Sequence, residues 1–137
     1  MLKRTFESDY LLGCESERSV LSQLRVFDPT LEKTQNDKHP FDYVNKVGDL
    51  YIELKTRNNT KERYATTMVS ASKVKYARDH PNTDFYFAFK FTDGLYYIPY
   101  DETIFSTFEI AEGGRFDRGR PELNQYCYIP VSLLLPL

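Results

Sequence analysis

The sequence predicts an α/β chain in which a mixed sheet is flanked by helices, and three observations carry that expectation. Residues 8–26 place apolar side chains at helical spacing, residues 84–91 alternate strictly, and two β-rich runs at 41–46 and 49–56 meet at Val47-Gly48. Helix, strands, helix, strands is the order of a sheet with helices packed on it.

The first helix, residues 8–26, can be capped by Ser8 or Asp9. Leu11, Leu12, Val20, Leu21, Leu24 and Phe27 form its apolar stripe, and Asp28-Pro29 ends it. A short strand over 31–35 and a polar loop follow. The two runs around Val47-Gly48 then read as a β-hairpin. After a basic loop at 57–63, a second helix is expected over 64–78, stopped by His80-Pro81. In DFYFAFKF, Phe85, Phe87, Phe89 and Phe91 share one face, and after the Thr92-Asp93-Gly94 turn LYYIPY returns as a strand. Beyond residue 103 the pattern suggests a short helix near 104–110, a glycine-rich excursion, and YCYIPV as a final strand.

A length of 137 residues suits one domain with a core of its own, spanning 1–137 with a core at about 8–100 and an extension at about 103–137. Cys14 and Cys127 show neither zinc spacing nor a disulfide pattern, which suits a reduced, intracellular protein. No apolar run approaches the ~20 residues of a membrane helix, so no membrane partner is expected. The closing VSLLLPL reads as a last core strand, a docked tail or an interface. Eleven Tyr and ten Phe, with no Trp, fall mostly in the strand-like runs and so suit a sheet core.

Lysine and arginine total 18 against 20 acids, a net charge of −2, so no bulk positive field draws nucleic acid to the chain. That objection weakens where acids gather around a divalent cation, which cancels them locally while basic side chains elsewhere meet phosphates.

Such a gathering is expected in the hairpin. With Val47 and Gly48 as the turn, simple antiparallel pairing sets Asp42 opposite Glu53, with Cβ atoms about 5 Å apart. Lys55 points to the same face about 6.6 Å further on. Two acids this close repel unless a cation lies between them, and a hard ion such as Mg2+ prefers such oxygen ligands and keeps waters that can attack phosphorus. The plainer alternative, an exposed Glu-x-Lys pair on an edge strand, fits poorly with the apolar setting YIELKT. On the first helix, Glu17 is in phase with Gly13, Val20, Leu21 and Leu24, whereas Glu15 is not. A carboxylate on that stripe needs a cation, a donor or water.

This set resembles the PD-(D/E)XK nuclease superfamily, with its restriction-endonuclease-like αβββαβ core: a helix carrying an acid, then a hairpin with an Asp, then an acid-x-Lys strand. Residues 13–24, GCESERSVLSQL, are similar to the helix of archaeal Holliday-junction resolvases, and residues 87–100, FAFKFTDGLYYIPY, to the strand-turn-strand after their second helix. Phe41 stands where the superfamily name has proline. The resemblance implies that Asp42 and Glu53 ligate Mg2+, with Mn2+ as substitute, that Leu54 contributes its carbonyl, that Lys55 positions water or stabilises the phosphorane, and that Glu17 binds metal directly or through water.

Arg57, Lys61 and Arg63 in the following loop are candidate phosphate contacts, as are Ser70 and Lys73 on the expected second helix. His39 could approach the site. Asp49 shares the phase of Glu53 but lies about 13 Å away along the strand, which makes it a turn residue. Arg115, Asp117, Arg118 and Arg120 form either a DNA-touching arm or a self-compensated loop. Three functions follow: a DNA endonuclease, dimeric because two strands need two centres; an RNA endonuclease of the same fold; and a non-catalytic binding module.

Overall fold

The computed structural model describes residues 19–35, 39–115 and 122–137. The described part of the first helix, α1, covers residues 19–24, and a turn over 25–27 follows it. Val20 and Leu24 from the expected apolar stripe are fully buried.

Six short or medium strands form the main sheet. They are β1 (Glu32–Lys33), β2 (Tyr43–Val44), β3 (Leu50–Thr56), β5 (Asp84–Phe91), β6 (Gly94–Pro99) and β9 (Leu135–Pro136), hydrogen-bonded in the order β1-β2-β3-β5-β6-β9. Among the described residues only β3 and β5 run parallel, which makes the sheet mixed. A parallel pair needs a crossover, and here it contains β4 (Thr66–Ser70) and α2 (Ala71–Asp79). β4 leaves the main sheet and joins β8 (Glu122–Pro130) and β7 (Glu109–Arg115) in a second, three-stranded sheet ordered β4-β8-β7.

The alternation of β5 divides the interior. Phe85, Phe87, Phe89 and Phe91 are buried with Val74 and Ala77 of α2, Val69 of β4, and Cys127 and Ile129 of β8. Ala88 joins Val20, Leu24, Tyr43, Leu50 and Ile52 in a separate cluster. Each buried phenylalanine contributes about 1.5–3 kcal/mol of apolar transfer free energy, so β5 is the strand to which both layers are fastened.

Two expected helices differ from the fold. Residues 64–70 do not begin the second helix: Thr66–Ser70 is a strand, paired from Thr66↔Pro130 to Ser70↔Tyr126. Thr67 and Val69 are buried and Thr66 and Met68 exposed, a period of two with β-branched residues that suits a pleated surface. Likewise 104–110 is not one helix. Glu102–Phe105 forms α3, capped by the Asp101 side chain accepting from Ile104 N–H at 3.0 Å, and β7 begins at Glu109. The closing run becomes an edge strand: Tyr96↔Pro136 and Tyr97↔Leu135 pair, and Leu137 N–H donates to Leu95 C=O at 3.0 Å.

Candidate active site

The hairpin of β2 and β3 begins with its turn. Asn45 is 6% exposed, and its Oδ1 accepts from the N–H groups of Gly48 (2.9 Å), Asp49 (3.0 Å) and Leu50 (3.1 Å). Its Nδ2 donates to Asp28 Oδ2 at 3.0 Å and Asp49 Oδ1 at 2.6 Å. One amide thereby fixes the loop, and Gly48 takes the left-handed φ of 84° that closes it. Asp49 is a turn residue, as its distance from Glu53 led us to expect.

From this turn the ladder runs Val44↔Tyr51 and Tyr43↔Ile52. The next residue breaks it. Asp42 N–H donates to Ile52 C=O at 3.1 Å, so Asp42 and Tyr43 both address Ile52, the count of a β-bulge. The parity of the strand confirms the bulge: Phe41 and Tyr43, two apart, are buried in different clusters. Asp42 is therefore re-aimed rather than simply opposed to Glu53. Its Oδ2 accepts from Leu54 N–H at 2.8 Å, while its own C=O accepts from Thr34 N–H at 2.8 Å.

Glu53 faces the phenylalanine-rich layer and is only 2% exposed. Burial, then a hydrogen bond with the Asp42 carboxyl and its negative charge, push the Glu53 carboxyl up to about 8 against its ordinary 4.5. Opposing them is Lys73, whose Nζ reaches from α2 to donate to Glu53 Oε2. Lys55 follows on the same face of β3, half-buried at the level of Phe89.

Two adjacent carboxyls, with that of Glu53 raised in proton affinity, form a place where positive charge is favoured, and this donor set fits a hard divalent cation bound through one or two carboxylates and water. Among the described residues, no group of three or more His, Cys, Asp or Glu assembles. Glu17 lies outside the described residues.

The other expected contacts are spread out. Arg57 donates through Nε to Thr67 Oγ1 at 3.2 Å and through Nη2 to Met68 C=O at 2.6 Å, and burial lowers the proton affinity of its guanidinium. Lys61 pairs with Glu62 at 3.0 Å and lies 5.2 Å from the Tyr96 ring centre. Arg63 stands 5.5 Å over Tyr64. Ser70 precedes α2, its Oγ 2.7 Å from Ser72 Oγ. Lys73 is the fifth expected contact, and of the five it alone is in contact with Glu53 among the described residues. His39 stacks on Tyr51 with ring centres 4.8 Å apart, and its Nδ1 accepts from Phe41 N–H at 3.0 Å, bracing the residue before Asp42. Asp117, Arg118 and Arg120 lie outside the described residues, as does Cys14.

A mixed sheet whose hairpin bears an acid and an acid-x-Lys strand, followed by a crossover to a parallel strand, is a restriction-endonuclease-like fold. The chain belongs to the family described as "phage putative PDDEXK endonuclease", whose profile matches residues 4–137, and so to the PD-(D/E)XK nuclease superfamily. No curated protein matches the sequence significantly. Among the described residues no helix is long and apolar enough to cross a membrane.

Proposed function

We propose that this chain is a divalent-metal-dependent endonuclease acting on DNA, with Asp42, Glu53 and Lys55 as its catalytic set and Glu17 as the fourth member. One observation supports the reading above others: the contact of the half-buried Asp42 carboxyl with the buried Glu53 carboxyl, which needs a proton or a cation to be stable.

Asp42 and Glu53 would hold Mg2+, or Mn2+ in its place, with Glu17 and the Leu54 carbonyl completing the protein's share. When bound, the ion supplies Lewis-acid polarisation of the scissile phosphate and a more acidic water. The chain's own groups do the rest. Asp42 is held by Leu54 N–H, so its free oxygen keeps a fixed direction. Lys55 orients the attacking water or offsets charge on the phosphorus oxygens. Lys73 serves as the internal counter-ion of Glu53. Cutting both strands of a duplex requires two such centres, which a homodimer provides.

The decisive assay incubates purified protein with Mn2+, Mg2+ or EDTA and single-stranded DNA, duplex, four-way junction and RNA in parallel. Metal-dependent scission of DNA is expected. Scission of RNA alone, or scission undiminished in EDTA, would refute the proposal.

A further inference from the structure

Away from the carboxyls, a cavity of about 220 Å³ opens where the end of β3 passes β4. β4 ends the three-stranded sheet, so among the described residues one of its edges has no strand partner. Met68 turns its C=O toward that edge, to Arg57 Nη2. In an antiparallel strand a residue's N–H lies on the same side as its C=O, so Met68 also offers a donor at the cavity wall. The two Arg57 bonds use Nε and Nη2, which leaves Nη1 as a second donor there. Phe91 and Val131 supply apolar lining. At the mouth stands Tyr64, 59% exposed, with the Arg63 guanidinium over its ring.

The charge around this cavity is positive. Among the described residues Arg57, Lys61 and Arg63 outnumber two nearby carboxylates, Glu62, paired with Lys61 Nζ, and Asp93, whose Oδ1 accepts from Lys61 N–H at 3.0 Å. The fitting ligand is planar, carries acceptors on its edge, stacks on an aromatic ring and hangs from an anionic backbone. At ~30 Å³ for each water, the space equals about seven waters, room for one heterocycle. Arg57 also shares the strand face of Glu53 and Lys55, about 13 Å beyond Glu53.

We propose that this cavity receives one unpaired nucleobase of the DNA strand, with the adjoining phosphates passing Lys61 and Arg63. The chain then selects single-stranded or frayed DNA over continuous duplex. This inference rests on the nuclease reading and adds its substrate class.

The test uses the full-length Glu53→Gln protein and a single-stranded DNA oligonucleotide carrying 2-aminopurine, free or annealed to its complement. Binding should change the fluorophore's emission and favour the single strand roughly tenfold, and Tyr64→Ala should weaken it by a similar factor, the usual scale of one lost stacking contact. Thr66→Trp, which fills the cavity from an exposed position, should abolish the emission change. Equal affinity for continuous duplex, or unaltered binding and emission in both variants, would overturn the inference. Wild-type cleavage of the same oligonucleotide with Mn2+ judges the nuclease separately. Cleavage indifferent to both substitutions sinks the cavity alone, and base capture without metal-dependent cleavage sinks the nuclease alone.

Discussion

Lys73 donates a hydrogen bond to Glu53 Oε2, joining α2 to β3 at a carboxyl that water scarcely reaches. Removing Lys73 leaves the buried Glu53 carboxyl without that hydrogen-bond donor. Lys73→Met should therefore destabilise the metal-free protein by about 1–3 kcal/mol. Paired with Glu53→Gln, the loss should be smaller than the two single losses combined, since the double variant lacks both members of the interaction. Urea denaturation of all four proteins checks this, and strictly additive losses would argue that the pair is energetically idle.

Stability should also depend on pH through Glu53. Its folded carboxyl holds a proton to about 8, whereas its ordinary value is 4.5. Between these limits the folded state binds more protons than the unfolded one, so stability falls as pH rises and levels off above about 8. The difference between wild type and Glu53→Gln, followed by denaturation across pH 4 to 9, isolates the effect. A difference that stays flat over this window would contradict it.

Cation binding must expel the proton that Glu53 holds. Mn2+ affinity should accordingly rise with pH until about 8. Calorimetry in two buffers of different ionisation heat would count the released protons, with none released as the failing result.

Cleavage should fall at least about a hundredfold in Glu53→Ala and in Lys55→Ala, the scale of a lost metal ligand or charge stabiliser. Wild-type rates in either folded variant would remove that residue from the catalytic set.

The turn is the remaining lever. Asn45→Ala deletes the acceptor of three backbone N–H groups and should cost about 2–4 kcal/mol, while Gly48→Ala, at a left-handed φ, should cost about 1–2 kcal/mol. Because the same turn sets the register of Asp42, Asn45→Ala should also weaken Mn2+ binding. Retained affinity would show that the hairpin is positioned from elsewhere.

The sequence made the hairpin, its loop and the phenylalanine face of β5 legible because each is written locally, in periods of two and a glycine turn. The strand at Thr66–Ser70 was not, since its partner β8 lies far downstream and the polar residues around it also suit a helix. The bulge at Asp42 was hidden for a related reason: alternation assumes that each residue of one strand meets one of the other. Arg57 illustrates the limit for charges. A basic residue in a loop signals phosphate, and only the fold reveals Thr67 and Met68 as its partners.

The bulge bears on how such sites can diversify. Since Asp42 and Tyr43 share Ile52, the count of residues separating the two acids includes one that the ladder never uses. A homologue could lose that residue, straighten the strand, and still present its aspartate by shifting it one place along the chain. Fixed-spacing motif searches would overlook such a relative, so candidates are better sought by allowing the interval between the acids to vary by one.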